Sequence, residues 1–134
     1  MRENFYLEIL TADRQFYIGQ AEALILTIQD GLYEVLPGHE NTAIALEPGV
    51  LKYKVNGEWH SAAESGGFAE ITGDYVIVLV VTAERPDEID FRRAEEARER
   101  AKERLRGKQS VMEYYNSKAA LARAMARLKT RDRH

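Results

Sequence analysis

The chain has 134 residues, no cysteine, and a formal net charge of −3 from 19 Lys+Arg against 22 Asp+Glu. Without cysteine there is no disulfide scaffold, thiolate nucleophile or cysteine metal site. Its longest apolar run, residues 75–81, is far too short to cross a bilayer, which predicts no direct membrane insertion.

The N-terminus alternates like a strand and lacks the apolar stretch of a signal peptide. Phe5, Leu7 and Ile9 alternate with Tyr6 and Glu8, predicting a half-buried first strand that ends near Asp13. Short strands follow over residues 15–18 and 23–28, with Gly19 between them. Asp30-Gly31 turns the chain into a strand over 32–36, and Pro37-Gly38-His39 breaks it before the small apolar segment 42–46. The clearest hairpin joins 51–55 to 58–62 through Asn56-Gly57, a pair that tolerates the positive φ angles of a type I′ turn. Gly66-Gly67 and Gly73-Asp74 then bracket 68–72, and 75–81 is the most strongly β-forming run. So many short, closely spaced strands predict an antiparallel β-sandwich or barrel.

Between Glu84 and Ala94 the pattern changes from a period of two to apolar residues recurring at three and four. This predicts a β domain over residues 1–85 and a helical domain over 86–134. Pro86 ends the preceding strand and Asp87 is placed to cap a helix starting beside it. On that helix Asp90, Ala94, Ala97, Ala101 and Leu105 share a face, and Gly107 terminates it. On the second, Ser110 and Glu113 form a capping box; Tyr115, Ala119, Ala122 and Ala126 make one stripe, and Leu121, Met125 and Leu128 another. The short connection predicts an antiparallel two-helix hairpin, with the alanine stripe between the helices. Charge divides unevenly: residues 1–86 hold 5 Lys+Arg against 13 Asp+Glu, whereas 107–134 hold 7 against 2. The second helix is therefore suited to an anionic partner.

If the hairpin turns near Lys108, Arg93 faces Ala124 and Asp90 faces Arg127. Arg93, Arg123 and Arg127 then gather around Asp90, and guanidinium forks suit phosphate oxygens. On spacing alone the commoner arrangement is solvated helix charge, with Asp90 as a capping carboxylate. His39, His60 and His134 have no metal-ligand spacing, and Ser65-Gly66-Gly67 lacks the lysine and helix of a phosphate loop. Trp59 reads as core or cross-strand packing. The basic tail, residues 127–133, lacks the interleaved aromatics of a nucleic-acid surface, so no nucleic-acid partner is expected.

Asp30-Gly31 through Pro37-Gly38-His39, then Pro48-Gly49, Ser65-Gly66-Gly67-Phe68 and Ile89-Asp90-Phe91-Arg92-Arg93-Ala94, in this order and spacing, resemble the epsilon subunit of the bacterial rotary (F-type) ATP synthase. The resemblance covers essentially the whole chain. It implies a non-catalytic rotor subunit on the cytoplasmic face of the cell membrane, as a peripheral part of the synthase. The sandwich would bind the gamma subunit and the membrane rotor ring of c subunits, and the mobile helices would brake ATP hydrolysis against the alpha and beta catalytic subunits. The family's ATP-binding signature stands here as Ile89, Asp90, Arg93 and Ala94, and resemblance to nucleotide-binding members adds Glu84, Arg123 and Arg127. ATP is thus implied as a regulatory ligand, with no metal required. Ring contact is implied through Leu32 and His39, although Glu34 and Glu40-Asn41 depart from the family's usual Gly and Ala-Pro. The alternative is a free-standing ATP-binding sensor with the sandwich as scaffold.

Overall fold

The computed structural model describes residues 3–131. Ten strands precede two helices: β1 (Phe5–Leu10), β2 (Gln15–Ala21), β3 (Ala23–Ile28), β4 (Gly31–Val35), β5 (Thr42–Leu46), β6 (Gly49–Val55), β7 (Glu58–Glu64), β8 (Gly67–Ile71), β9 (Tyr75–Val80), β10 (Ala83–Glu84), α1 (Phe91–Arg106) and α2 (Val111–Arg131). The strands make two five-stranded sheets, ordered β2-β1-β9-β8-β5 and β10-β7-β6-β3-β4. Their facing sides alternate with solvent-facing residues, as a sandwich requires. Phe5, Leu7 and Ile9 from β1 and Val76, Val78 and Val80 from β9 meet Leu24, Leu26, Leu51 and Ala62 of the second sheet in one buried core.

The second sheet is wholly antiparallel, as expected, and the first departs from that in a single pair. β1 and β9 run parallel, with Leu7 opposite Val76 and Ile9 opposite Val78, while the other strand pairs are antiparallel. This pairing puts two fully buried apolar rows side by side, and nothing in local sequence periodicity encodes it. Gly19 also differs from expectation: it lies within β2, opposite Leu7. A Cβ there would come 2.9 Å from the Tyr17 hydroxyl, so the glycine leaves room for that ring instead of ending the strand. Asn56 (φ 51°) and Gly57 (φ 79°) both take positive φ between β6 and β7, as the type I′ reading requires. Trp59 is 37% exposed and lies opposite Lys54, whose ammonium sits 5.9 Å from the indole centroid, a cross-strand contact outside the core.

Glu64, the last residue of β7, is on the same face of the strand as the core residue Ala62 and is only 2% exposed. Its carboxylate accepts the Gly66 N–H at 2.5 Å. Burial pushes this carboxyl up to about 7, partly opposed by that N–H and assisted by nearby Glu47.

Helix α2 packs on β6 and β7, and α1 packs on α2. The small side chain of Ala126 meets Ala63 and Ile89, letting the α2 backbone sit close to the sheet. The Ala122/Ala126 stripe therefore faces the sandwich rather than the other helix, and Tyr115, expected on the same stripe, is 61% exposed. The capping box at the start of α2 is made: Glu113 N–H donates to Ser110 Oγ and Ser110 N–H to Glu113 Oε1. No helix among the described residues is long and apolar enough to cross a membrane.

Candidate functional site

Pro86, Asp87 and Glu88 form a single 3-10 turn, and Ile89 is extended, so α1 begins at Phe91. The cap is Asp90, not Asp87: its Oδ1 accepts the Arg93 N–H at 3.1 Å. Pro86 cannot donate but is well placed in the first residues of a turn, and that turn delays the α-helix until the next capping residue. Among the described residues no donor reaches the second carboxylate oxygen of Asp90.

This cap stands at the mouth of a cleft of about 330 Å³ between the end of the sandwich and the hairpin, lined by Glu84, Glu88, Asp90, Arg93, Ala94, Ala97, Arg100 and Arg127. Glu84 leaves β10 and accepts from Arg127 Nε of α2 at 2.6 Å, a contact that ties the second helix to the last strand. Arg14 donates to both oxygens of Glu88 at 2.9 Å, and to the Ala83 carbonyl, fixing the 3-10 turn on the sandwich. The same guanidinium, helped by the Arg85 N–H, holds the Glu88 carboxyl down at about 2. Ala94 is buried beneath the cleft, and Ile89 packs with Ala63 and Ala126.

The cleft gathers Glu84, Asp90, Arg93, Ala94 and Arg127 as expected, but not Arg123. Arg123 lines a separate cleft toward the hairpin turn, with Glu103, Arg104, Asn116 and Ser117. One helical turn, about 6 Å along the axis, separates it from Arg127. Its place is taken by Arg100, which the sequence reading missed; the available signal was its spacing of two turns from Arg93 on the same face of α1. Among the described residues neither Arg93 nor Arg100 makes an ion pair. With Arg127 held by Glu84 and Glu88 by Arg14, the cleft's free positive charge belongs to these two guanidiniums. At the far end of α2, Arg131 bonds Glu95 at 2.8 Å and lies over the Phe91 ring. Arg133 and His134 lie outside the described residues.

The residues expected at the ring contact behave differently from each other. Leu32 on β4 is 72% exposed. His39 instead folds back, its ring edge-on to Phe5 at 6.0 Å and its Nδ1–H donating to the Leu36 carbonyl. That tautomer leaves Nε2 as a buried acceptor with no partner among the described residues.

The sequence matches the family described as ATP synthase, Delta/Epsilon chain, over its beta-sandwich domain at residues 4–86 and its long alpha-helix domain at residues 87–131. It is 48% identical over 129 residues to the ATP synthase epsilon chain of Ruminiclostridium cellulolyticum, covering 96% of each chain. It is 46% identical over 131 residues to that of Caldanaerobacter subterraneus, covering 96% of this chain and 94% of the relative. The fold is shared with a chain in the Euglena gracilis mitochondrial ATP synthase, in a structure of its OSCP/F1/c-ring assembly. The TM-score there is 0.85 at 24% identity, covering 99% of this chain and 84% of that one. From these matches over nearly all of its length, the chain belongs to the delta/epsilon chain family of the ATP synthase.

Proposed function

We propose that the chain is a non-catalytic rotor subunit of the F-type ATP synthase and that its hairpin binds ATP in the cleft beside Asp90. The sandwich joins the gamma subunit to the c-subunit ring on the cytoplasmic face of the cell membrane. The helices move between the folded hairpin and a form that reaches the alpha and beta subunits and inhibits hydrolysis. Residues 1–85 act as the assembly domain and 86–134 as the regulatory one.

The observation that supports nucleotide binding is the pair of guanidiniums, Arg93 and Arg100, without an ion pair among the described residues, that line one cleft with Arg127 between the two helices of the folded hairpin. In the bound state these three arginines take the phosphates. Arg123 swings along its helix to join them, and the second oxygen of Asp90 accepts from the ribose or the base. Glu84 keeps Arg127 oriented. Because guanidiniums neutralise the phosphates, a metal is not required for binding. A ligand held only by the folded form stabilises it in proportion to its occupancy, shifting the population away from the inhibitory form.

Calorimetric titration of the isolated chain with ATP, with and without magnesium, tests this. Arg93→Ala or Arg100→Ala removes a charge-assisted contact worth about 1.5 to 3 kcal/mol, weakening binding by roughly one to two powers of ten. Arg123→Ala weakens it less. Equal affinity in all the variants would place the nucleotide elsewhere, and no heat at millimolar ATP would leave these residues as solvated helix charge.

A further inference from the structure

A second and larger cleft, about 580 Å³, runs along the seam between α2 and the outer face of the second sheet. Its sheet side is Ile25 and Thr27 of β3, Leu32 of β4 and Val50 of β6; its helix side is Ala122, Met125 and Ala126. It forms because α2 covers β6 and β7 but stops short of the β3/β4 edge, leaving the outward apolar residues of those strands beside the apolar flank of the helix. A volume of this size falls in the range that small ligands occupy, and a mostly apolar lining with a few polar groups is their usual environment.

The charged side chains lining the cleft are all of one sign. Lys52 rises from the sheet and Lys129 from the helix, both lining the cleft, and among the described residues no Asp or Glu lines it. Among the described residues neither lysine makes an ion pair or a side-chain hydrogen bond. Glu34, the nearest carboxylate along the ladder from Ile25, is on the edge strand and outside the lining. Two unpaired cations over an apolar floor are complementary to one chemical class, an anionic head on an apolar tail. A neutral apolar ligand would leave both ammonium groups unused, and a fully polar anion would leave the floor unfilled.

We propose that this seam binds a single-chain amphipathic anion, such as a medium-chain fatty acid. The tail lies on Val50, Ile25 and Met125, and the carboxylate sits between Lys52 and Lys129. The source is the monomer in solution, because a bilayer cannot present one acyl chain into a half-enclosed cleft between a helix and a sheet. Since its two walls belong to the sandwich and to α2, an occupant bridges them and holds the hairpin down. That regulatory consequence rests on the mobile-helix reading above; the binding site does not.

The full chain is titrated with decanoate, decanol and decyltrimethylammonium, each as monomer, and binding is followed on the ¹³C-labelled methionine methyls. Met125 reports the cleft, and Met112, 73% exposed near the hairpin turn, is the internal control. Decanoate shifts Met125 and leaves Met112 in place, raises the melting temperature, and binds more tightly than decanol; the ammonium amphiphile binds weakest. Lys52→Glu and Lys129→Glu each weaken decanoate by roughly fivefold, the scale of one exposed charge contact, without weakening decanol. Equal affinity for the three heads, movement of Met112 alone, binding only to anionic vesicles, or dimerisation of the chain in place of binding would each overturn the assignment. Decanoate binding as stated, with no change in ATP hydrolysis by the assembled synthase, supports the site and counts instead against the helical brake.

Discussion

Replacing Glu64 by Gln should make the protein more stable at neutral and alkaline pH, which is the reverse of what deleting a well-bonded buried carboxylate normally does. The group is 2% exposed and accepts one hydrogen bond, from Gly66, which a glutamine carbonyl can also accept. In the unfolded chain its carboxyl returns to its ordinary value near 4.5, whereas burial holds it at about 7 in the fold. The folded state therefore binds the proton more tightly. The resulting stability is fully present below pH 4.5 and is lost as pH rises through about 7. At 1.36 kcal/mol per tenfold change in proton affinity, the loss comes to about 3 kcal/mol, a large share of a small domain's total. Urea unfolding at pH 5, 6, 7 and 8 and constant ionic strength measures it. Wild type should lose stability across this range relative to Glu64→Gln, and the variant should be the more stable at pH 8. Parallel pH profiles for the two proteins would refute the reasoning and mean that Glu64 reaches solvent when ionised.

Glu88 gives the opposite sign in a lower window: held down at about 2 by Arg14, it contributes stability above 4.5 that disappears as pH falls toward 2. Arg14→Ala should flatten that acid limb in a denaturation series. Asp90→Ala should cost about 1 kcal/mol through loss of the α1 cap, read by thermal unfolding, while Asp90→Asn keeps most of the cap; weaker ATP binding by Asp90→Asn with unchanged stability would separate the carboxylate's ligand role from its structural one. A chain ending after Pro86 should fold as a sandwich and still assemble with gamma, checked by circular dichroism and co-purification.

The strands were legible because Phe5, Leu7 and Ile9, or Val76, Val78 and Val80, write their burial directly as alternation. Asn56-Gly57 and Ser110 with Glu113 were legible because their geometry depends on neighbours in sequence alone. Partners far apart in the chain were not. The β1/β9 pairing, the turn of Ala126 toward Ala63, and the displacement of Arg123 by Arg100 are each set by how finished elements dock. The start of α1 was misplaced for a local reason, since Pro86 and Asp87 suit a 3-10 turn as well as a helix and the extended Ile89 that separates the two has no signature. Glu64 could not be read as buried, because the strand was expected to stop at residue 62 and a carboxylate argues for solvent; only the packed sheet extends β7 to it.

The parallel ladder also sets an order of events during synthesis. β1 leaves the ribosome early, yet its partner β9 follows about 70 residues later, so the first sheet stays incomplete until nearly the whole sandwich has emerged. Contacts this distant in sequence form slowly, while the hairpin that follows is built from near neighbours and closes fast. Until β9 arrives, β1 has an open, strongly apolar edge able to pair with another nascent chain. A ribosome that stalls or terminates before residue 75 should release an aggregating fragment, whereas one that stops soon after β10 should release a soluble sandwich.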